Sequence, residues 1–395
     1  MKKQEVNVIS KEHSKHAKLI RPAFGTYHRN EWAMVGAQCI VIKLLADQII
    51  NALSASYKCA YVDTTHNDDV VLMPGRLANG AVLEYTDQIN HRQLNYNADF
   101  NSFKLRDTFA GVDLVIANGN HHQCKAQVVI ISENKRASLQ KRIDQLTNVQ
   151  MLLLAENTNE VFDFIKEAIP NWEQLPLYRV GDIENIAAFF KQQMQLTKPE
   201  INGLVLAGGK SQRMGFDKGA VNWHGTEQRY YMADLLKPFC TDVFISCRAD
   251  QKNEIDSNYA SLADTFTDLG PYGAILSAFR EKPDSAWLVI ACDLPLMDES
   301  TLLYLVDNRN PSSVATAYQS PVNEFPEPLI TVWEPKSYPL LLSFLAQGYS
   351  CPRKVLINSD VTLVNALNAE ALTNVNTPDE LERIKRILHQ KIAAE

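Results

Sequence analysis

Short apolar runs recur along this chain, separated by stretches long enough to hold one helix each. Trp32–Val35, Cys59–Val62, Val112–Ala117, Gln127–Ile131 and Val149–Leu154 read as strands, and most of them carry almost no polar residue. Between them, Leu44, Leu45, Ile49 and Ile50 fall at helical spacing within 43–53, and similar patterns cover 160–169 and 183–193. The alternation resumes with strands at Leu204–Leu206, Val243–Cys247 and the run starting at Trp287, and with helices over 230–237 and 274–279. A last amphipathic pattern has Leu381, Ile384, Ile387, Leu388 and Ile392 on one stripe and predicts a packing helix. Continuous apolar strands alternating with helices predict α/β architecture, with mainly parallel sheets covered by helices on both faces. Residues 1–30 and 63–110 lack this periodicity and are expected to be irregular.

The polar stretch Lys191–Glu200 closes with Lys198-Pro199-Glu200, where proline removes a backbone donor and disfavours helix in the preceding residue. It predicts a short linker near 194–200, dividing the chain into domains over 1–196 and 200–395. The length of 395 residues agrees, since it exceeds what one hydrophobic core usually serves. A formal net charge of −7 argues against a general nucleic-acid binder, which would carry a basic excess. Seven scattered cysteines without a C-x-x-C pair point to a reducing compartment rather than to disulfides or zinc. The start, Met1-Lys2-Lys3-Gln4-Glu5, has no apolar leader, and no apolar run approaches the ~18 residues of a membrane span. A cytoplasmic protein without membrane association is expected.

Chemistry concentrates in the loop after the strand at 204–206. Leu206-Ala207-Gly208-Gly209-Lys210-Ser211-Gln212-Arg213-Met214-Gly215-Phe216-Asp217-Lys218 holds three glycines, two lysines and an arginine. Glycines let a backbone approach a ligand closely, and successive N–H groups then form a nest for anions. Cationic side chains on the same loop neutralise what the nest holds. A glycine-rich turn with a solvated basic face is the alternative; Arg213 and Lys218 together favour a polyphosphate site. The run Trp287–Cys292 ends in Asp293-Leu294-Pro295, so a carboxylate stands at the carboxyl end of a central strand, where open α/β sheets bind ligands. Beside a polyphosphate such an acid suits Mg2+, a hard cation held by one or two carboxylates and by phosphate oxygens. Asp293 as part of an Asx turn is the competing reading.

The first half offers no comparable site. Its strand–loop–helix at Trp32 stands where a phosphate-cradling G-x-x-x-x-G-K-[ST] loop would sit. With Lys43 on the motif lysine, Ala37 and Ile42 fall on the glycines and Leu44 on the hydroxyl residue, so nucleotide hydrolysis is not expected there. His121-His122, after Asn118-Gly119-Asn120, reads as a loop detail at a strand end.

Leu206-Ala-Gly-Gly-x-Ser-x-Arg-Met-Gly-x-Asp-Lys218, Gly270-Pro271, Cys292-Asp-Leu-Pro295 and Asn374-Val-Asn-Thr-Pro-Asp-Glu-Leu381 occur in this order. Together they closely resemble the molybdenum-cofactor guanylyltransferases, the MobA-like nucleotidyltransferases, over about 201–388. The first half resembles, weakly, the MobB-like P-loop partner proteins of the same biosynthesis, through its element order, Val62-Asp63-Thr64-Thr65-His66 and Leu114-Val115-Ile116-Ala117-Asn118-Gly119. The resemblance implies a Rossmann-like nucleotide-diphospho-sugar transferase fold in the second half. It also implies transfer of GMP from GTP to molybdopterin, with pyrophosphate release and Mg2+ as cofactor. Leu206, Ala207, Gly208, Gly209, Lys218, Asp264 and Gly270 would then bind nucleotide. Arg213 and Lys218 would offset charge developing towards pyrophosphate, Asp293 would hold the metal, and Asn374 and Asn376 would face the acceptor. Leu-Ala-Gly-Gly, with Gly208, points to guanine. Two departures are an absent asparagine near Cys247-Arg248 and Gly270-Pro271-Tyr272-Gly273-Ala274 in place of Gly-Pro-Leu-Ala-Gly. Pro326–Ile330 resembles the pterin-facing loop, and Thr377 is expected to cap the last helix while the asparagines face the site. The first domain would recruit substrate or an acceptor molybdoenzyme, and a separate GTP-binding partner protein is a further candidate partner of the chain. CTP as donor, a sugar-phosphate acceptor, or a silent cofactor-binding and delivery protein are the competing readings.

Overall fold

The structure is a computed structural model that describes residues 25–65, 73, 75–208, 218–375 and 377–392. The chain divides into two compact units. One takes the chain up to Ile183 apart from Asn51–Lys58 and Ala110–Asp113; the other takes those two segments and Glu184–Glu395.

The first unit begins with β1 (Glu31–Val35), α1 (Cys39–Leu53) and β2 (Cys59–Val62). A hairpin of β3 (Leu83–Asp87) and β4 (Arg92–Tyr96), then α2 (Ser102–Thr108), occupies the stretch that lacked periodicity. The hairpin escapes a pattern search because it belongs to no larger sheet and alternates exposed with half-buried residues, Leu83, Tyr85, Leu94 and Tyr96 standing on its exposed face. β5 (Leu114–Asn118), β6 (Ala126–Ile131), α3 (Arg136–Gln140), β7 (Val149–Leu154), α4 (Asp163–Ala168) and β8 (Leu177–Arg179) complete it. The six-stranded sheet has the order β2-β5-β1-β6-β7-β8, parallel throughout. Glu31 is buried in the central strand, yet its carboxylate accepts from the N–H groups of Thr26, Tyr27, His28 and Lys125. Those four bonds meet the cost of burying a charge and tie two loops to β1.

The second unit holds α5 (Ile183–Leu196), β9 (Ile201–Leu206), α6 (Gln228–Leu236), β10 (Val243–Cys247), β11 (Ala260–Ala263), α7 (Pro271–Glu281) and β12 (Ala286–Ala291). These are followed by α8 (Glu299–Asp307), β13 (Ala315–Gln319), β14 (Pro326–Trp333), α9 (Ser337–Ala346), α10 (Pro352–Ile357), β15 (Val361–Val364) and α11 (Pro378–Ile392). The sheet order is β11-β10-β9-β12-β14-β13-β15, parallel except that β14 runs against both of its neighbours. Alternate residues of the same strands feed opposite cores. Val205, Ile245, Leu288 and Ile290 pack with Met232 of α6 and Leu302 of α8. Leu204, Trp287 and Val289 pack with Ile275 of α7, Leu341 of α9 and Val355 of α10. Period-two alternation therefore explains why these strands are apolar on both faces and why helices cover both. α11 packs Ile384, with Leu381, Ile387 and Leu388, against Val375 and Leu296. No helix among the described residues is long and apolar enough to cross a membrane.

The helix after β11 starts earlier than its apolar pattern predicts, at Pro271, because Gly270 (φ 55°) delivers the chain to a proline at the first helical position. Two residues later, a Cβ on Gly273 would lie 2.1 Å from the backbone oxygen of Phe266. In this chain the close approach therefore falls at the fourth residue of the Gly-Pro-Tyr-Gly-Ala turn. Gly273→Ala should destabilise the second unit by about 1–3 kcal/mol or more, through overpacking against backbone. Gly111→Ala, where a Cβ meets nothing within 4 Å, should change stability by less than about 0.5 kcal/mol in the same urea titration.

Candidate functional site

Four strand ends come level at the carboxyl edge of the second sheet. Leu206 pairs with Ser246 of β10 on one side and with Ala291 of β12 on the other, and Cys247 pairs with Ala263 of β11. Carried one or two residues further, this register places Asp264, Arg248, Gly208 and Asp293 in one row. The ladder continues just past the strands through Ala207 N–H to Ser246 O (3.2 Å), Asp264 N–H to Cys247 O (2.9 Å) and Cys292 N–H to Leu206 O (3.4 Å). Ligands of open α/β sheets bind at such an edge.

Gly208 leaves β9 pressed against its neighbour: a Cβ there would sit 3.3 Å from both Arg248 N and Cys247 Cα. Arg248 fixes it from the other side, donating from Nη1 to the Gly208 carbonyl (3.3 Å). The same guanidinium grips Asp250 with Nε and Nη2 (3.1 and 3.2 Å). Where the resemblance implied an asparagine near the base, this chain has an arginine whose contacts here are to Gly208 and Asp250. Gly209 and Arg213 lie outside the described residues, as does the side chain of Lys218, whose backbone opens a short 3-10 turn over Lys218–Ala220.

Asp264 is half-buried and accepts from Ser246 Oγ (2.8 Å). Burial pushes its carboxyl up to about 6, against the lowering effect of that hydroxyl bond. The loop after it is clamped onto α7 by one side chain. Ser277 Oγ accepts from the N–H groups of Thr265 (2.9 Å) and Phe266 (3.2 Å) and donates to the Gly273 carbonyl (2.7 Å). Gly270 stands in the same loop as the residue before α7, not in the row of strand ends.

The Asp293 turn is held from several sides. Val375 N–H donates to the Asp293 carbonyl (2.9 Å), which places Asn374 beside the acid. His224 Nε2 donates to the Pro295 carbonyl (2.9 Å) and its ring stacks on Tyr231 at 3.7 Å. Burial lowers the His224 pKa, against the raising effect of that bond. Thr377 caps α11 in a reciprocal box, with Thr377 N–H to Glu380 Oε2 (3.0 Å) and Glu380 N–H to Thr377 Oγ1 (3.3 Å). Asn376 lies outside the described residues. Pro326 and Glu327 form the start of β14 rather than a loop; antiparallel pairing brings that start to the edge where β12 ends. Arg353 holds Glu327 there (Nη2 to Oε2, 3.1 Å).

Of the residues expected from the sequence, Leu206, Ala207, Gly208, Asp264, Asp293 and Asn374 thus gather at one edge. Ser246, Ser277, His224 and Val375, which hold them, have no sequence signal: Ser246 meets the Asp264 side chain across two strands, and the other three act through backbone groups of another segment. No group of three or more His, Cys, Asp or Glu side chains forms among the described residues. A strand-end carboxylate fits a hard cation that completes its shell with phosphate oxygens and water.

A family model for the MobA-like NTP transferase domain matches residues 203–361. A molybdenum cofactor biosynthesis bifunctional protein of Synechocystis is 34% identical over 190 residues, covering 48% of this chain and 55% of its own length. The chain thus spans about half of that relative. A molybdenum cofactor guanylyltransferase of Pseudomonas putida is 30% identical over 190 residues, covering 47% of this chain and 97% of its own length. Among solved structures, molybdopterin-guanine dinucleotide biosynthesis protein A of Archaeoglobus fulgidus is 21% identical with a TM-score of 0.41, over 48% of this chain and 99% of its own.

The Asp264 environment has a measurable consequence. Its folded-state pKa lies above the ordinary carboxylate value, so folding favours the protonated form and that advantage is lost as pH rises to about 6. Asp264→Asn keeps an acceptor for Ser246 and removes the titration. In thermal unfolding, wild-type stability relative to the variant should fall between about pH 4 and 6 and level off above; an unchanging difference would contradict the buried carboxyl.

Proposed function

We propose that this chain, which belongs through its C-terminal half to the molybdenum cofactor guanylyltransferase family, transfers GMP from GTP to molybdopterin and releases pyrophosphate. The observation that carries this reading is the level row of Asp264, Gly208 and Asp293, with the end of β9, which the glycine- and lysine-rich segment follows in sequence, between the two acids. The row separates three tasks in space. Near β11, Asp264 is ionised above about pH 6 and accepts hydrogen bonds from the donors on the guanine edge. In the middle, Gly208 offers its backbone N–H to the phosphates; the next residues in sequence, Gly209, Arg213 and Lys218, would add a second donor and offset charge developing on the leaving pyrophosphate. At the β12 end, Asp293 and Asn374 face the acceptor phosphate, with Asn376 on the same segment.

Asp293 would hold Mg2+, which when bound supplies positive charge to both phosphate groups. The attacking molybdopterin phosphate is already ionised near neutral pH, so the chain need supply no general base. Its work is to align two polyanions and screen their repulsion. Binding of a separate GTP-binding partner protein or an acceptor molybdoenzyme belongs, on this reading, to the first unit.

Incubation with GTP, Mg2+ and molybdopterin should yield the guanine dinucleotide and pyrophosphate, resolved by chromatography, with CTP a poor donor. Asp293→Ala should lower turnover by about two to three orders of magnitude while the fold is retained. Product formed from a sugar phosphate but not from molybdopterin would reassign the acceptor. Full activity of the Asp293 variant would overturn the metal role.

A further inference from the structure

The carboxyl edge of the first sheet carries a pocket of about 130 Å³ above the end of β1, lined by Cys39, Asn120, His121, Lys135, Ser138 and Arg142. None of its lining residues is acidic. Arg142 is half-buried and donates from Nη1 to the Asn120 carbonyl (3.2 Å) and to Asn120 Oδ1 (3.3 Å), both neutral acceptors. Asn120 is oriented for this by its own Nδ2, which donates to the Ala37 carbonyl (2.9 Å). Lys135 is half-buried and forms no ion pair among the described residues. The carboxylate two residues before it, Glu133, pairs with Arg136 instead (3.7 Å). Asp63, at the end of β2, is taken up by Tyr61 Oη, Thr64 N–H and Asn118 Nδ2 (each 2.8 Å). The fifteen-residue α1 starts at Cys39 with no acid in its first turn, so its positive dipole end adds to the same field.

A half-buried guanidinium and ammonium without carboxylate partners, facing one concavity with a helix N-terminus, are complementary to an anion. The volume sets its size: a whole small-molecule ligand usually needs at least ~300 Å³. The source of the cations separates this pocket from a P-loop. Lys43 and Leu44 on α1 are exposed and Ile42 is fully buried, whereas Lys135 and Arg142 come from the segments flanking α3.

We propose that this pocket binds one tetrahedral oxyanion, inorganic phosphate or the phosphate of a monoester, held by Arg142 and Lys135, with the Ser138 hydroxyl and the N-terminus of α1 beside it. Nucleoside triphosphates exceed the space.

Cys39 lines the pocket and reports on it directly. In the full-length protein, alkylation of Cys39 by iodoacetamide, followed by peptide mass spectrometry, should slow at least about fivefold in millimolar phosphate relative to chloride of equal ionic strength. The exposed Cys351 should be unaffected. Arg142→Gln and Lys135→Gln should each raise the half-protecting phosphate concentration about tenfold, as expected for losing one charge-assisted bond. A second readout is the His121 ring resonance, assigned through His121→Gln, which should shift over the same phosphate range. Cys39 alkylation and the His121 resonance both indifferent to phosphate, or protection unchanged in both charge variants, would overturn the site. Both readouts lie in the first unit, so their outcome is separable from nucleotide binding by the second.

Discussion

The pairing register of β9 is the constraint on which the catalytic half depends. Ala286–Ala291 run parallel to Ile201–Leu206 along one flank, and Val243–Ser246 pair with Gly203–Leu206 along the other. A parallel ladder slipped by one residue would turn Leu204 and Val205 to the wrong cores, exchanging the faces that pack on α7 and on α6. The apolar filling of both faces therefore locks the register. The locked register in turn sets Asp264, Arg248, Gly208 and Asp293 at one level. The geometry of the candidate site is here a by-product of core packing.

Polar bonds to backbone do the finer placement. Ser277 gathers two N–H groups of the loop that carries Asp264, Arg248 holds the Gly208 carbonyl, and Val375 and His224 grip the turn that carries Asp293. Each replaces a water contact with a fixed one, so the two carboxylates and the end of β9 are held in place before any ligand binds. Asp264 carries the cost of that arrangement, since burial raises its pKa and it must ionise against desolvation.

The two units use the same edge of the same kind of sheet differently. In the second, Gly208 brings the end of β9 close against β10, with no Cβ at that position. In the first, the corresponding positions have filled with apolar side chains: Ala37 and Ile42 are buried in the core. What remains at that edge is a small cationic pocket whose charges come from the segments around α3.

Much of this was readable from the sequence, for local reasons. Uninterrupted apolar runs identify buried parallel strands, and Val149–Leu154 and Val243–Cys247 coincide with β7 and β10 inside their sheets, while Cys59–Val62 coincides with β2, half-buried at a sheet edge. The glycines and cations after β9, the acid after β12 and the capping box at Thr377 are likewise properties of contiguous residues. The hairpin at 83–96 was not readable, since its strands alternate between exposed and half-buried positions with no core to impose a pattern. Nor were Ser277, His224, Val375 or the Arg248–Gly208 bond, which join separate segments through backbone atoms carrying no side-chain identity. The sequence by itself determined which strands are buried and which chemical groups stand at their ends. Only the tertiary structure decided which ends are neighbours and at what level, because strand order and register are settled by side chains packing across the sheet rather than along the chain.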